Sequence, residues 1–146
     1  MTIALLVSTL VLIVLLLTEP AHLARGTMPG EALDGRLRNR ATGRCLAGDR
    51  EGPAYTVPCH GGQFAQWIRN ADGSVRNAVT GACLNVAGDS AVVMIDCVDR
   101  AEQNWSWNAD GTLVWAGSGW CLTADGRQSV MVADCSGHPR QRWGPG

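Results

Sequence analysis

Six cysteines are the residues of this sequence whose type and spacing best suit chemistry. Cys83 and Cys97 lie fourteen positions apart around an apolar run, and the same interval separates two further pairs, Cys45 with Cys59 and Cys121 with Cys135. A zinc site would need a close pair such as Cys-x-x-Cys, which the sequence lacks. A nucleophilic thiol would need an odd cysteine beside a base. The equal intervals instead favour one disulfide within each pair, and disulfides imply an oxidising compartment.

The cysteines are part of an internal repeat with a period of 38 residues. The same period relates tryptophans, leucines and Asp-Gly dipeptides. These are Trp67, Trp105 and Trp143; Leu46, Leu84 and Leu122; and Asp34-Gly35, Asp72-Gly73 and Asp110-Gly111. A period of this length indicates copies of one structural unit, which we place at 33–70, 71–108 and 109–146.

Each copy is predicted to form four short strands. In the second copy they are SVRNA, ACLNV, AVVMIDC and NWSWN, separated by glycine and aspartate positions. Asp-Gly is a strong signal for a tight turn between strands. Three copies are fewer than a propeller requires, so we expect an all-β, closed arrangement of about twelve strands with pseudo-threefold symmetry. Its core would gather the repeated leucines and tryptophans together with Leu37, Val75 and Leu113.

Each copy ends in a short motif around its tryptophan. The three motifs are Ala65-Gln66-Trp67, Gln103-Asn104-Trp105 and Gln141-Arg142-Trp143. Two of them match the Gln-x-Trp signature of ricin-type (R-type) lectin domains, and with the paired cysteines and the repeat they make residues 33–146 resemble one such domain. The resemblance implies a non-catalytic β-trefoil without cofactor or metal, with Gln141 and the three tryptophans as its core motif. It also implies binding of galactose-like sugars or of plant or microbial polysaccharides at up to three shallow sites.

The resemblance assigns sugar contacts to four positions of each copy. They are the second residue after the first cysteine, the second before the other cysteine, and the third and second before the tryptophan. In copy order these positions hold Ala47, Val57, Phe64 and Ala65; Asn85, Ile95, Glu102 and Gln103; and Thr123, Ala133, Arg140 and Gln141. The first set lacks hydrogen-bonding side chains, although Tyr55 offers a ring nearby. The second set keeps polar groups, so we predict a site formed by Asn85, Glu102, Gln103 and Trp107.

Three tryptophans interrupt the repeat, namely Trp107, Trp115 and Trp120. Sugar C–H faces stack on aromatic rings, so one of these rings could supply the platform that Ile95 does not. The alternative is that they close the ends of the barrel or fill local asymmetry in its core.

A row of arginines lies near the start of the first copy. Arg36, Arg38 and Arg40 alternate with Leu37 and Asn39, so on a strand they would share one face. Such a face could recognise an anionic glycan or a carboxylate. The alternative is a solvated surface without a ligand.

Charge and carboxylate placement exclude other classes of function. The formal net charge is -1, so no general attraction to nucleic acid is expected. Asp89, Asp96, Asp99 and Glu102 are close in sequence, but nothing sets two of them across a cleft, as glycoside hydrolysis requires. We therefore expect no enzymatic activity.

The first residues differ from the rest of the chain. Residues 3–17 are mostly isoleucine, valine and leucine, and Glu19-Pro20 follows them. Such a run predicts a signal peptide over 1–24, cleaved after Ala24, with a linker over 25–32, and hence a secreted monomer. If the segment is not cleaved, it is a signal anchor that tethers the protein to the membrane with the domain on the outer side.

A second function stays open at the level of sequence. Val57, Ile95 and Ala133 are aliphatic where the family has a sugar platform. A trefoil whose sugar sites have decayed could bind a protein partner through them.

Overall fold

The computed structural model describes residues 35–146, so the predicted signal segment and linker lie outside the described residues. Short strands and two 3₁₀ helices, η1 and η2, follow one another in this part of the chain. In order they are β1 (Leu37–Asn39), β2 (Cys45–Ala47), β3 (Gly52–Pro53), β4 (Tyr55–Val57), β5 (Trp67–Arg69), β6 (Val75–Asn77), β7 (Cys83–Ala87), β8 (Ala91–Ile95), η1 (Ala101–Gln103), β9 (Trp105–Trp107), β10 (Leu113–Trp115), β11 (Cys121–Ala124), β12 (Val130–Ala133), η2 (Pro139–Gln141) and β13 (Trp143–Pro145).

Each copy contains one antiparallel hairpin, and the pairs are β2–β4, β7–β8 and β11–β12. Each hairpin carries one disulfide, joining Cys45 to Cys59, Cys83 to Cys97 and Cys121 to Cys135, which confirms the predicted pairing. The hairpins also pair with one another: β3 lies against β8, and Met131 of β12 pairs with Ala91 of β8. The three copies therefore meet along β8.

The remaining strands join the end of one copy to the start of another, in the pairs β5–β6, β9–β10 and β1–β13. The pairing of the first strand with the last closes the fold. At each Asp-Gly turn the glycine carbonyl accepts the backbone N–H of the tryptophan of the same copy. The three distances are 3.0 Å for Trp67 with Gly35, 2.9 Å for Trp105 with Gly73 and 2.8 Å for Trp143 with Gly111.

The core gathers the repeated residues, as predicted from their period. All three tryptophans and all three leucines are buried, together with Leu37, Val75 and Leu113. Each indole N–H donates to the carbonyl of the leucine 21 residues earlier, at 2.8 Å for Trp67, 3.1 Å for Trp105 and 3.0 Å for Trp143. Each copy therefore buries a large aromatic ring whose polar N–H is hydrogen-bonded. This tryptophan–leucine pair is a stabilising feature that all three copies share.

Trp115 has an identifiable structural role at one of the three joins. Asn39 and Asn77, its equivalents, each donate their side-chain N–H to a backbone carbonyl of the preceding copy, at 2.8 Å to Arg140 and Phe64. The indole N–H of Trp115 makes the corresponding bond to the Ala101 carbonyl at 2.9 Å. The indole thus replaces an amide donor, in agreement with the interpretation that it fills local asymmetry.

The first copy departs from the expected four strands. Between its cysteines the chain leaves its own hairpin, and Gly52 and Pro53 pair with Met94 and Val93 of β8. This adds β3 to the predicted twelve strands. Gly52 has a φ of 92°, a conformation that favours glycine at the point where the chain diverges.

Candidate functional site

Asn85, one of the four residues of the predicted site, lies on the outer face of the β7–β8 hairpin of the second copy. Asn85 lies directly opposite Val93, and Cys83 lies opposite Ile95, so these side chains share one face of the hairpin. The alternate residues, such as Leu84 and Met94, are buried in the core. Helix η1 packs against β7 and brings Glu102 and Gln103 to this hairpin.

Asn85 is buried, with 5% of its side chain exposed. Its Nδ2 donates to the carbonyl of Val86 at 3.1 Å, whereas its Oδ1 is enclosed and has no hydrogen-bond partner among residues 35–146. Nearly all buried polar atoms in folded proteins are paired, and an unpaired one costs roughly 1 to 3 kcal/mol. Asn85 Oδ1 is thus an acceptor that the fold itself does not use.

Gln103 fixes the loop that follows the second disulfide. It is 2% exposed, its Oε1 accepts the backbone N–H of Val98 at 2.9 Å, and its Nε2 donates to the carbonyl of Asp96 at 2.9 Å. Gln141 makes the same two bonds in the third copy, to Ser136 and Asp134. These bonds hold η1 against the hairpin and leave the neighbouring Glu102 exposed. A sugar contact by Gln103 itself stays a prediction.

A cavity of about 420 Å³ lies along β8 where β3 begins. Val93 and Ile95 contribute apolar surface, and the carboxylate residues Glu51 and Asp96 lie at its wall. The full lining is Glu51, Gly52, Val93, Met94, Ile95 and Asp96. Glu51 and Gly52 come from the first copy, and no signal in the sequence indicates that they meet the second. Carboxylates around an apolar surface can accept hydrogen bonds from a hydroxyl-rich ligand.

Residues 33–143 match the family model of the ricin-type β-trefoil lectin domain. The chain belongs to this family. No curated protein sequence matches it. The hemolytic lectin CEL-III has a similar structure, with a TM-score of 0.73 and 27% identity over 80% of this chain and 30% of that one.

Two further solved structures have a similar fold. The β-trefoil lectin of the Vibrio vulnificus hemolysin/cytolysin, solved with N-acetyl-D-lactosamine, has a TM-score of 0.68 and 22% identity over 79% of this chain and 95% of that one. GalNAc-T7, solved with UDP, GalNAc and Mn²⁺, has a TM-score of 0.69 and 21% identity over 80% of this chain. This chain spans 30% of CEL-III and 23% of GalNAc-T7.

In this lectin-type domain the first copy fills the equivalent site with its own side chains. Ala47, opposite Tyr55 on the hairpin, is buried with Cys45 and Ala65, and Tyr55 and Val57 pack against them. The Tyr55 hydroxyl donates to Asp49. Burial, then this hydrogen bond and the Asp49 charge, raises the pKa of Tyr55 to about 12. The ring is therefore part of an apolar cluster.

The third copy of the lectin-type domain satisfies its polar atoms internally. Thr123 occupies the position of Asn85, and its Oγ1 donates to the carbonyl of Cys121 at 2.9 Å and accepts from Gln141 Nε2 at 3.1 Å. Of the three equivalent residues, Asn85 alone has a buried polar atom without a partner within the described chain.

The three tryptophans outside the repeat lie on or beside the barrel strands of the domain. Trp107 pairs with Leu113 between β9 and β10, and with Trp115 and Trp120 it packs partly buried against the core. Trp107 is therefore not part of the β7–β8 hairpin, and its role as a sugar platform stays a prediction.

A second cavity, of about 230 Å³, lies beyond η1. Its wall includes Asp72, Ser74, Asp99 and Arg100. Hydrogen bonds from the Ser74 hydroxyl and backbone lower the pKa of Asp72, and Thr112 acts in the same way on Asp110. Both carboxylates therefore stabilise the Asp-Gly turns.

Within residues 35–146 no helix is long and apolar enough to cross a membrane.

Proposed function

We propose that this protein is an exported, non-catalytic module that binds a neutral carbohydrate on the outer face of its second copy. Membership of a lectin family supports binding of sugar, and the similarity to CEL-III, which is described as a lectin, points the same way. The residues proposed to meet the ligand are Asn85 and Glu102 together with Ile95, positioned by Gln103.

The observation that carries the proposal is the unpartnered Oδ1 of Asn85. Because this oxygen is enclosed, a sugar hydroxyl reaches it only when the side chains that cover it shift, and the bond then removes the cost of leaving it buried and unpaired. The bond would then be worth more than one made to an exposed acceptor, which already has water. The other copies hold alanine or an internally bonded threonine at this position, so the proposal assigns one site rather than three.

The groups around Asn85 favour an uncharged sugar. Glu51 and Asp96 lie in the adjoining cavity and Glu102 lies on η1. These carboxylates can accept hydrogen bonds from hydroxyls, but they would repel the carboxylate of a uronic or sialic acid. Val93 and Ile95 offer an aliphatic surface to the C–H face of the ring. Galactose-like sugars and neutral polysaccharides meet these requirements.

Export of the module is proposed on two grounds. All six cysteines form disulfides, which persist in oxidising compartments. The apolar run over residues 3–17 has the character of an export signal. We place cleavage after Ala24, the linker at 25–32 and the domain at 33–146, and we expect a monomer. The intact mass of the exported chain in solution checks the cleavage site.

Replacing Asn85 with leucine tests the site, because leucine has a similar size but no acceptor. The oxidised protein is first screened on an array of neutral and acidic glycans. Asn85→Leu should lose retention on the matching glycan by about tenfold or more, which corresponds to about 1.4 kcal/mol. Its free energy of unfolding should change by less than about 1 kcal/mol, because removal of the unpaired acceptor offsets the loss of the bond from Nδ2 to the Val86 carbonyl.

Thr123→Val is the matched control at the equivalent position. It removes a hydroxyl with two internal hydrogen bonds, so stability should fall by about 1 kcal/mol while glycan retention stays unchanged. Unchanged retention in Asn85→Leu would overturn the site. A wild-type protein silent on every glycan would overturn sugar binding and favour a protein partner.

A further inference from the structure

A second surface carries charge that the proposed sugar site does not use. It lies where the last copy meets the first, and we name it the arginine ridge, formed by Arg38, Arg40, Arg140 and Arg142. All four residues are exposed. Leu37 and Asn39, which alternate with Arg38 and Arg40 along the chain, are fully buried, so the two arginines face outward from the barrel. Arg36, also predicted in this row, is half-buried and donates to the Gly62 carbonyl at 3.4 Å.

Backbone contacts hold the four arginines close together. Arg38 pairs with Gly144 across β1–β13, and the N–H of Arg40 donates to the carbonyl of Arg142 at 2.9 Å. The side chain of Asn39 donates to the carbonyl of Arg140 at 2.8 Å. Arg38 lies in β1, Arg40 directly follows it, Arg140 lies in η2 and Arg142 directly precedes β13. These neighbouring segments therefore contribute four cations to one surface.

The other two joins between copies provide an internal comparison. They have the same backbone bonds, from Ala78 to Gln66 at 2.8 Å and from Ala116 to Asn104 at 2.9 Å. Only one of the eight equivalent residues is an arginine. At one join these residues are Phe64, Gln66, Arg76 and Ala78, and at the other they are Glu102, Asn104, Val114 and Ala116. The fold does not require arginine at these positions, so the ridge has another cause.

The charge of the chain is divided between copies. The first copy has six arginines against three acidic residues, whereas the second has two arginines against five. An anion is therefore attracted to one side of the domain, although the formal net charge of the chain is -1. Hydrogen bonds from Thr112 are the main cause of the lowered pKa of Asp110, and the charge of Arg142 contributes to it in the same direction.

We propose that the arginine ridge binds a sulfated polysaccharide. Guanidinium groups pair with sulfate through two parallel N–H donors, and a rigid row of them suits a linear chain with repeated anionic groups. Arg38 and Arg140 use one N–H each on the carbonyls of Gly43 and Asp125, which orients their remaining donors. The ridge is independent of the site at Asn85 and does not rest on it.

Two other polyanions fit the ridge less well. Binding to an anionic membrane uses apolar side chains that enter the interface, yet among residues 35–146 the exposed large apolar residues are Val79, Val98 and Met131, none of them on the ridge. Single-stranded nucleic acid is held by aromatic stacking as well as charge, and the ridge has no aromatic residue. A sulfated glycan needs neither feature.

Salt-dependent binding of the full chain to heparin tests the proposal. The wild type should bind, and the logarithm of its affinity should fall linearly with the logarithm of salt concentration. The triple variant Arg38→Gln, Arg40→Gln and Arg142→Gln should reduce this slope by about 2, since each lost contact removes roughly 0.7 to 0.9. The matched control removes three arginines elsewhere, in Arg69→Gln, Arg76→Gln and Arg100→Gln, and should keep the wild-type slope.

The remaining outcomes are equally decisive. Equal loss in the two triple variants would show that net charge acts rather than the ridge, and absence of binding by the folded wild type at low salt would also overturn the proposal. Tighter binding to phosphatidylserine vesicles or to a single-stranded DNA oligomer than to heparin would assign the ridge to those ligands instead. Asn85→Leu should bind heparin like the wild type, which separates this proposal from the sugar site.

Discussion

The first and second copies build the same hairpin and use its outer face in opposite ways. Each has a disulfide, a buried leucine and a tryptophan whose indole N–H bonds to that leucine. In the first copy Ala47 lies beneath Tyr55 in an apolar cluster. In the second, Asn85 lies opposite Val93 with a buried oxygen that no described residue satisfies. The buried inner face is the same in both copies and determines the shared backbone, which we call the frame. The residues of the outer face can therefore differ between the copies.

The difference shows where the domain forgoes stability. At the position equivalent to Asn85 the first copy has an alanine, and its Tyr55 hydroxyl donates to Asp49. Arg36 Nη1 of the first copy is also buried without a partner among residues 35–146, but it is a donor outside the hairpin. The second copy keeps an unpaired acceptor within the hairpin, beside the cavity along β8. Buried polar atoms without a partner are rare in native proteins, so each one calls for an explanation. This contrast is the physical basis for placing the sugar site in the second copy.

The largest expected effect comes from breaking the shared frame in one copy. Gly73 has a φ of 90°, and a Cβ there would approach the Trp105 carbonyl at 3.1 Å, whereas the end of the Asn104 side chain, which it would also meet, can move aside. Gly73→Ala should therefore lower the free energy of unfolding by roughly 2 to 3 kcal/mol, from backbone strain plus the close approach to the carbonyl. Chemical denaturation of the oxidised protein measures this loss.

The equivalent turn of the first copy provides the control. A Cβ on Gly35 would meet no atom within 4 Å, so Gly35→Ala should cost only the backbone strain, about 1 to 2 kcal/mol. Equal losses in the two variants would show that contact with the tryptophan strand contributes nothing at this turn.

A smaller effect is expected when the first copy receives the polar residue of the second. Ala47 is 1% exposed in an apolar cluster, so Ala47→Asn adds volume and an amide without partners. Stability should fall by about 2 kcal/mol, and the glycan array should show no new binding. New binding, or a stable Ala47→Asn protein, would mean that the first face is as open as the second.

The sequence predicted the frame well because the frame depends on repeated residues. The period of leucine and tryptophan marks the side chains that face the core, and the equal cysteine intervals mark the disulfides. The site was less predictable, since Glu51 reaches β8 only through the pairing of β3. The bonds of Gln103 were also hidden, because its partners are backbone atoms of Asp96 and Val98. The row of arginines was visible, but its extension to Arg140 and Arg142 required the pairing of β1 with β13.

The smallest expected effect is a pH dependence of stability that comes from Tyr55, on the outer face of the first copy. Tyr55 is the single tyrosine of the chain, so phenolate absorbance reports on it alone. Its pKa is raised from 10.0 to about 12 by burial and by Asp49, so the folded state favours the neutral phenolic hydroxyl over the phenolate. This contribution to stability is complete below pH 10 and is lost as the pH rises toward 12. Tyr55→Phe should lack that loss, and Asp49→Asn should retain part of the pKa shift, because burial is its larger cause. A Tyr55 that titrates near its ordinary pKa of 10.0 would show that the first face is open to water, like a site awaiting a ligand.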